Sequence, residues 1–280
     1  MTGMNGTITS QTPPTPKGSS KAPALPLTRA RRAALIIGVP LCLVFIGYTG
    51  LSLVASVGQG HFPVSYVFPA GTGNANVTVS EGDVTLRQSV GTRAQLTGTA
   101  TYSLIRPDLK TRLIPGGVGI RYNCMVPAGN CGLDATLSVP ARMAASVSTG
   151  GGDATAVGTT GDVTLSTGGG DVTVDRATGV LSLSTGGGNI HGTAITSTRV
   201  TAHAGGGDIK IVFIHVPRDV HVDTGGGNVT IIVPPGSAQY HVTASTDGGT
   251  VSESVPLNTS SPNVITATSG GGDITIRQAT

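Results

Sequence analysis

Short runs in which every second residue is apolar fill the C-terminal half of the chain. Residues 172–174 and 209–213 are examples, and Thr173 and Lys210 stand between their apolar positions. Successive side chains of a β-strand point to opposite faces of the sheet, so a period of two predicts strands with one buried and one solvated face. We therefore predict an all-β domain in which polar positions such as Thr173 face solvent.

Three consecutive glycines followed by Asp or Asn separate these runs. Asp153, Asp171 and Asn189 each follow such a mark and are equally spaced. The later marks are spaced progressively more widely, and they include a degenerate copy that ends at Thr250. A short, nearly fixed period predicts stacked units rather than one globular core. We assign structural turns to the last glycine and the following residue of each complete copy: Gly152, Asp153, Gly170, Asp171, Gly188, Asn189, Gly207, Asp208, Gly227, Asn228, Gly272 and Asp273.

Each period has room for two short strands and two corners of different chemistry. At the tri-glycine corner we expect positive φ at glycine and an Asp or Asn side chain that bonds its own backbone. The other corner is looser, as at residues 176–179. A meander of hairpins gives no reason for two alternating turn types, whereas a coil that returns to the same corner on each lap does. We therefore favour a β-solenoid with coils of about 18–23 residues over a β-sandwich, which also suits short strands with glycine-rich turns.

The last tri-glycine copy leads into Ile274 and Ile276 near the end of the sequence. If the coils stack in sequence order, these residues lie on the terminal strand. An unpaired strand edge is a template for another chain. This order predicts homophilic association through that strand.

An uncharged, apolar run covers residues 33–57. At about 1.5 Å per residue, a helix over this range is long enough to cross a hydrocarbon core of about 30 Å, so we predict a transmembrane helix. Arg29, Arg31 and Arg32 precede it, which places the N-terminus in the cytoplasm and the remainder outside. A cleaved signal peptide is the alternative, although such segments have shorter apolar cores. We divide the chain into a disordered basic tail (1–32), this helix (33–57), a linker (58–73) and an extracytoplasmic β-repeat domain (74–280).

The composition fits thin β-layers and gives no support for nucleic-acid binding. The chain has 43 Gly, four Phe and no Trp, so aliphatic residues and Thr must fill the core. The net charge is +3, and the basic tail (1–32) contributes +5, which leaves −2 for the rest. A nucleic-acid-binding domain requires a basic face with interleaved aromatic residues.

Three cysteines are present, and Cys42 lies within the predicted span. Cys124 and Cys131 are then the pair that an oxidising exterior would join, so we predict a disulfide between them. A metal site is the poorer interpretation, because the spacing is not Cys-x-x-Cys and no second pair completes four ligands.

Motifs for catalysis are missing from the sequence: it contains no Gly-x-Ser-x-Gly elbow, His-Glu-x-x-His, P-loop or dinucleotide fingerprint. We therefore predict no enzyme, no cofactor and no metal site. Two hypotheses of metal binding are alternatives to a purely structural role of the corner residues and the exposed polar residues. Calcium could bind between the glycine corners, although the period differs from that of the calcium nonapeptide. Zinc could bind a set that solenoid stacking would bring together: His203, His221, Asp223 and His241. In that set His203 and Asp223 precede their glycine marks by equal distances, so they should be neighbours.

The segment GDVTLSTGGGDVTV at residues 161–174 resembles the repeats of a bacterial family of putative adhesins of unknown function. The resemblance covers about residues 74–278, and the apolar span and cysteine-containing segment before the repeats also look like family members. It implies a right-handed β-helical ectodomain at the cell surface, with no catalytic residues to carry over. We expect a single-pass membrane protein with a binding, adhesive or structural envelope role and a homophilic or cell-envelope partner. The alternatives are an envelope-polysaccharide enzyme and an accessory or sensor subunit of an envelope-stress system.

Overall fold

The computed structural model describes residues 39–42, 44–45, 59–69, 73–103, 106–107, 109–114, 117–123 and 131–280. These residues contain 21 strands: β1 Gln59–Val67, β2 Asn74–Val79, β3 Val84–Gln88, β4 Gln95–Ser103, β5 Leu109–Ile114, β6 Gly117–Tyr122, β7 Gly132–Val139, β8 Ala144–Thr149, β9 Ala154–Val157, β10 Val163–Thr167, β11 Val172–Asp175, β12 Leu181–Thr185, β13 Ile190–Ile195, β14 Arg199–Ala204, β15 Ile209–Phe213, β16 Asp219–Thr224, β17 Val229–Val233, β18 His241–Thr246, β19 Val251–Ser254, β20 Val264–Ser269 and β21 Ile274–Gln278.

Within the described residues the strands form two sheets. One has eleven strands in the order β1-β4-β7-β3-β9-β11-β13-β15-β17-β21-β19, and the other has ten in the order β18-β20-β16-β14-β12-β10-β8-β2-β6-β5. From β8 to β17 the chain alternates between the two sheets, and the neighbours in each sheet pair in parallel. Antiparallel pairs are confined to β1, β4, β5, β6 and β7. Long parallel sheets exclude the antiparallel sandwich, and the fold is an all-β solenoid.

The strand register confirms the repeat lengths of the central coils. Val163 pairs with Leu181, and Leu181 pairs in turn with Val200. Val200 then pairs with Val220. The steps between these partners equal the spacings of the tri-glycine marks on the same coils. These four partners are all aliphatic, so their side chains form a continuous row inside the solenoid.

The core lies between the inner faces of the two sheets. Val172 and Val174 are fully buried, while Thr173 between them is partly exposed. Burying one such side chain contributes about 1.5–3 kcal/mol, whereas ordering one residue of backbone costs about 1–2 kcal/mol. A coil with only a few buried side chains is therefore stable only against its neighbours.

The last two coils are exchanged relative to the sequence. Strands β20 and β21 lie between the β16–β17 coil and the β18–β19 coil. Ile274 pairs with Val229 on one side and with Val251 on the other, and both Ile274 and Ile276 are fully buried. The prediction that these isoleucines lie on the terminal strand is wrong, because β19 is the edge strand.

The edge strand β19 carries a charge at a position that faces inward in the neighbouring coil. Glu253 pairs with Ile276, and all four residues of β19 are exposed. A charged side chain on the inner side of an edge strand opposes the addition of another strand. If the coils stacked in sequence order, β19 would lie between β17 and β21 and the Glu253 carboxylate would be buried. The cost of that burial is the physical reason why β19 lies at the edge instead.

The N-terminal end of the stack also departs from sequence order. Strands β2 and β3 pair with β6 and β7 on one side and with β8 and β9 on the other. Residues 59–67, assigned to a linker on the basis of sequence, form β1 and pair with β4 along its whole length. The linker prediction is wrong there, because Phe62, Val64 and Tyr66 stand at alternate positions of β1 and pack against the core.

The predicted tail (1–32) lies outside the described residues. Within the predicted span the structure describes residues 39–42 and 44–45, which are helical. In the described parts of the chain, no helix has the length and apolar character needed to cross a membrane. The transmembrane helix stays a prediction.

Cys131 lies just before β7. Its sulfur is 3.9 Å from the Tyr122 hydroxyl, and that hydroxyl donates a hydrogen bond to the Thr101 carbonyl at 3.1 Å. Burial raises the pKa of Tyr122. The predicted partner, Cys124, lies outside the described residues, so the pairing itself stays a prediction.

Candidate binding face and the corner ladder

The first and third glycines of each mark allow neighbouring coils to approach closely. A Cβ atom on Gly170 would lie 2.3 Å from the carbonyl oxygen of Gly152, and one on Gly168 would lie 2.3 Å from that of Gly150. A Cβ atom on the middle glycine, Gly169, would have nothing within 4 Å. Two of the three glycines are therefore required by space between coils.

Positive φ is not the reason for these glycines. Among the described glycines, φ lies in the left-handed region at Gly82, Gly158 and Gly236, and none of these belongs to a tri-glycine mark. The expectation of positive φ at the tri-glycine corners is wrong. The backbone there stacks directly on the backbone of the next coil, and any side chain at the outer two positions would separate them.

The Asp and Asn side chains of the corners link successive coils. Oδ1 of Asp153 accepts a hydrogen bond from the Asp171 backbone N–H at 2.8 Å, and Oδ1 of Asp171 accepts one from the Asn189 N–H at 2.7 Å. The expectation that each side chain bonds its own backbone is wrong. The same bond repeats through a series that we call the corner ladder: Asp134, Asp83, Asp153, Asp171, Asn189, Asp208, Asn228, Asp273 and Thr250, in which each side chain accepts from the N–H of the next residue.

Two members of the corner ladder were missed in the sequence. Asp83 follows a single glycine and Asp134 follows Leu133, so neither carries the tri-glycine mark. Stacking order places both at the end of the ladder, with the Asp83 N–H donating to Oδ1 of Asp134 at 3.1 Å. Since the Oδ1 atoms accept amide hydrogen bonds from the adjacent coil, the ladder stabilises the stacking of the corners.

A buried hydroxyl completes most corners. Oγ1 of Thr167 donates to the Gly152 carbonyl at 2.8 Å and accepts from the Gly170 N–H at 3.0 Å. It therefore joins its own coil to the preceding one. In the sequence this hydroxyl appears as a Thr or Ser four residues before the corner Asp or Asn. The corner at Asp208 differs, because Ala204 occupies that position.

We expect Asp171→Ala to lower the free energy of unfolding by about 1–2 kcal/mol, because the Asn189 N–H loses its acceptor. Asp171→Asn retains an Oδ1 atom, as Asn189 and Asn228 do, so its effect should stay within about 0.5 kcal/mol. Denaturant unfolding of the full chain measures both. Equal losses in the two variants would show that the carboxylate charge, rather than the hydrogen bond, stabilises the corner.

The outer face of the ten-stranded sheet carries rows of hydroxyl groups. We call the outward side chains of β8, β10, β12 and the start of β14 the hydroxyl face. Strand register aligns them in two rows, Ser146–Thr164–Ser182–Thr201 and Ser148–Ser166–Ser184, with adjacent strands about 4.8 Å apart. A regular array of donors and acceptors of this kind can hydrogen-bond an extended hydroxylated ligand.

His203 and Asp223 are neighbours further along this face, as the repeat spacing predicts. Nδ1 of His203 lies 2.8 Å from Oδ2 of Asp223, and the Thr268 hydroxyl donates to Oδ1. The Thr268 hydrogen bond, aided by His203 and opposed by partial burial, lowers the pKa of Asp223. Its contribution to stability is present above the ordinary carboxyl pKa and is lost as the pH falls through the lowered value.

Ser184, His203 and Asp223 occupy consecutive positions in one row. Within the described residues His203 is hydrogen-bonded to Asp223, and no hydrogen bond joins it to Ser184. The same part of the chain holds no group of three or more His, Cys, Asp or Glu side chains placed to bind a metal ion. The four residues considered from the sequence, His203, His221, Asp223 and His241, are not brought together in such a group.

An open cleft lies at the N-terminal end of the same outer face. It has a volume of about 510 Å³ and adjoins a second cleft of about 450 Å³, with Asn76 shared between them. The first cleft, which we call the basic cleft, is lined by Asn76, Thr78, Lys110, Thr111, Arg112, Gly119, Ile120 and Arg121. Sequence analysis missed it, although the cations at 110 and 112 alternate with Thr111 as the outward residues of a strand should.

Comparison with known proteins identifies a family for the repeats. The family model "Toastrack DUF4097" matches residues 133–279, more than half of the chain. Two crystal structures are similar: a putative cell adhesion protein from Clostridium sporogenes (14% identity, TM-score 0.38, covering 78% of this chain and 100% of that one) and a putative adhesin from Parabacteroides merdae (12% identity, TM-score 0.32, covering 79% and 96%). The chain matches no curated protein.

Proposed function

Because the chain belongs to the Toastrack DUF4097 family, a family of putative adhesins of unknown function, we propose that it is a membrane-anchored cell-surface module that binds envelope material and performs no catalysis. In this proposal residues 33–57 anchor it with the N-terminus in the cytoplasm. The solenoid, right-handed as in the family resemblance, then stands outside the membrane.

The observation that carries the proposal is the hydroxyl face. Its outward Ser and Thr side chains lie in register on a long parallel sheet. The corner ladder ties each coil to the next, so the rows keep their spacing along the stack. A rigid array loses little conformational entropy when a ligand binds, which favours recognition of an extended polymer.

Intact cells that express the full chain should retain more purified envelope polysaccharide than cells that lack it. External protease should remove both this retention and a tag placed after Thr280, because the proposal places the solenoid outside. A tag at the N-terminus should survive the protease and serves as the control. Protection of the Thr280 tag would contradict the topology, and saturable cleavage of the polysaccharide would replace binding with catalysis.

A further inference from the structure

Three cations share one outward face of the hairpin formed by β5 and β6. Lys110 and Arg121 stand directly opposite each other in the antiparallel pair, and Arg112 is two residues beyond Lys110 on the same face. All three side chains are exposed. Opposed side chains in such a pair have Cβ atoms about 4.5–5.5 Å apart, so Lys110 and Arg121 repel each other.

No acidic side chain of the described residues neutralises this group. The ion pairs in that part of the chain involve Asp175, Asp219 and Asp223, all in later coils. The net charge of the chain is +3 and the N-terminal tail carries +5, so the rest carries −2. These three cations therefore form a local basic patch on a domain that is not basic as a whole. Cations placed side by side, with no acidic partner among the described residues, favour the binding of an external anion.

The neighbouring strand turns this cluster into a cleft of mixed chemistry. Thr78 of β2 pairs with Arg121, and Asn76 pairs with Gly119. Gly119 has no side chain between its register partners Arg112 and Asn76, and all three residues line the basic cleft. On its other side Asn76 pairs with Ser146, so the cleft runs directly into the hydroxyl face.

We propose that the basic cleft binds the phosphate groups of an anionic polyhydroxylated polymer whose chain continues along the hydroxyl face. Arg112 and Arg121 each present a planar fork that matches two phosphate oxygens, and Lys110 adds a point charge between successive phosphates. Asn76, Thr78 and Ser146 hydrogen-bond the hydroxyl groups of the polymer. The assignment rests on the proposed binding function and names its ligand class. A membrane surface fits less well, because the cations line a hollow that continues into hydroxyl rows rather than a protruding basic patch.

Poly(glycerol phosphate) is the probe, and its binding to the full chain is measured by calorimetry at two salt concentrations. We expect saturable binding that weakens as salt rises. The double variant Arg112→Gln/Arg121→Gln should bind on the order of tenfold or more weakly, because it loses two charge-assisted contacts. The matched control is Lys210→Gln/Arg218→Gln, which removes the same charge from exposed positions outside the cleft and should bind within about twofold of the parent.

The outcomes separate this proposal from the function on which it rests. Equal weakening in the two double variants, equal binding of neutral dextran, or tighter binding of phosphatidylglycerol vesicles than of the polymer would overturn the basic cleft as a phosphate-polymer site. Retention of envelope polysaccharide by cells would then still support the surface-binding function, whereas loss of both would reject the two together. Should the Arg variant fail to fold, Lys110→Gln gives the same test with one charge, and an unchanged affinity there overturns the proposal.

Discussion

Gly170→Ala is expected to lower the free energy of unfolding of the full chain by about 3 kcal/mol, the upper end of the range for overpacking. Its new Cβ atom would lie 2.3 Å from the Gly152 carbonyl oxygen, an atom of the backbone that cannot rotate away. Relief requires separating two coils, which lengthens the hydrogen bond between Asp153 and Asp171 as well. Denaturant unfolding followed by circular dichroism measures the loss.

Gly169→Ala is the matched control one residue away. Its Cβ atom meets nothing within 4 Å, so the variant should be within about 0.5 kcal/mol of the parent, or slightly more stable because the unfolded chain loses freedom. If both variants were equally destabilised, backbone conformation rather than the spacing of coils would explain the glycines. If neither were, the coils could not be in the close contact described here.

The repeating part of the solenoid could be predicted from sequence because its determinants are local. Alternation from Val172 to Val174 sets the inner and outer faces, and the spacing of Asp153, Asp171 and Asn189 sets the length of a coil. The same spacing brought His203 and Asp223 together, since residues at equal distances before the mark become neighbours. The tri-glycine marks did not reveal why glycine is needed there, because the contacts that require glycine lie in the adjacent coil.

The ends of the stack could not be predicted because their neighbours are set by non-local energetics. Nothing near Ile274 in the sequence shows that its strand, β21, lies between β17 and β19 rather than at the edge of the sheet. This order follows from Glu253 of β19, which is exposed at the edge and would be costly to bury. The basic cleft was missed for a related reason. Arg121 reaches Lys110 through a hairpin, but the cleft exists only because β2, which lies far earlier in the chain, pairs with β6.

Ile276→Lys should therefore be among the most destabilising single changes in the domain. Ile276 is fully buried between β17 and β19, so the change removes its packing against both strands, which costs about 2–5 kcal/mol, and an ion pair with the exposed Glu253 beside it does not restore those contacts. We expect the two C-terminal coils to open first, since they depend on β21 for their contact with the rest of the stack. Limited proteolysis of the full chain, followed by mass spectrometry of the fragments, locates that opening.

Glu253→Lys is the control at the register partner of Ile276. Because Glu253 is exposed on the edge strand and a lysine there also opposes strand addition, stability should change by no more than about 0.5 kcal/mol. If the coils stacked in sequence order, the stability losses would rank the other way. Ile276 would then lie on the terminal strand, where a lysine is tolerated, and Glu253 would lie in the interior of the stack. A larger loss for Glu253→Lys than for Ile276→Lys would thus refute the exchanged coils and return the terminal edge, with its capacity for homophilic association, to β21.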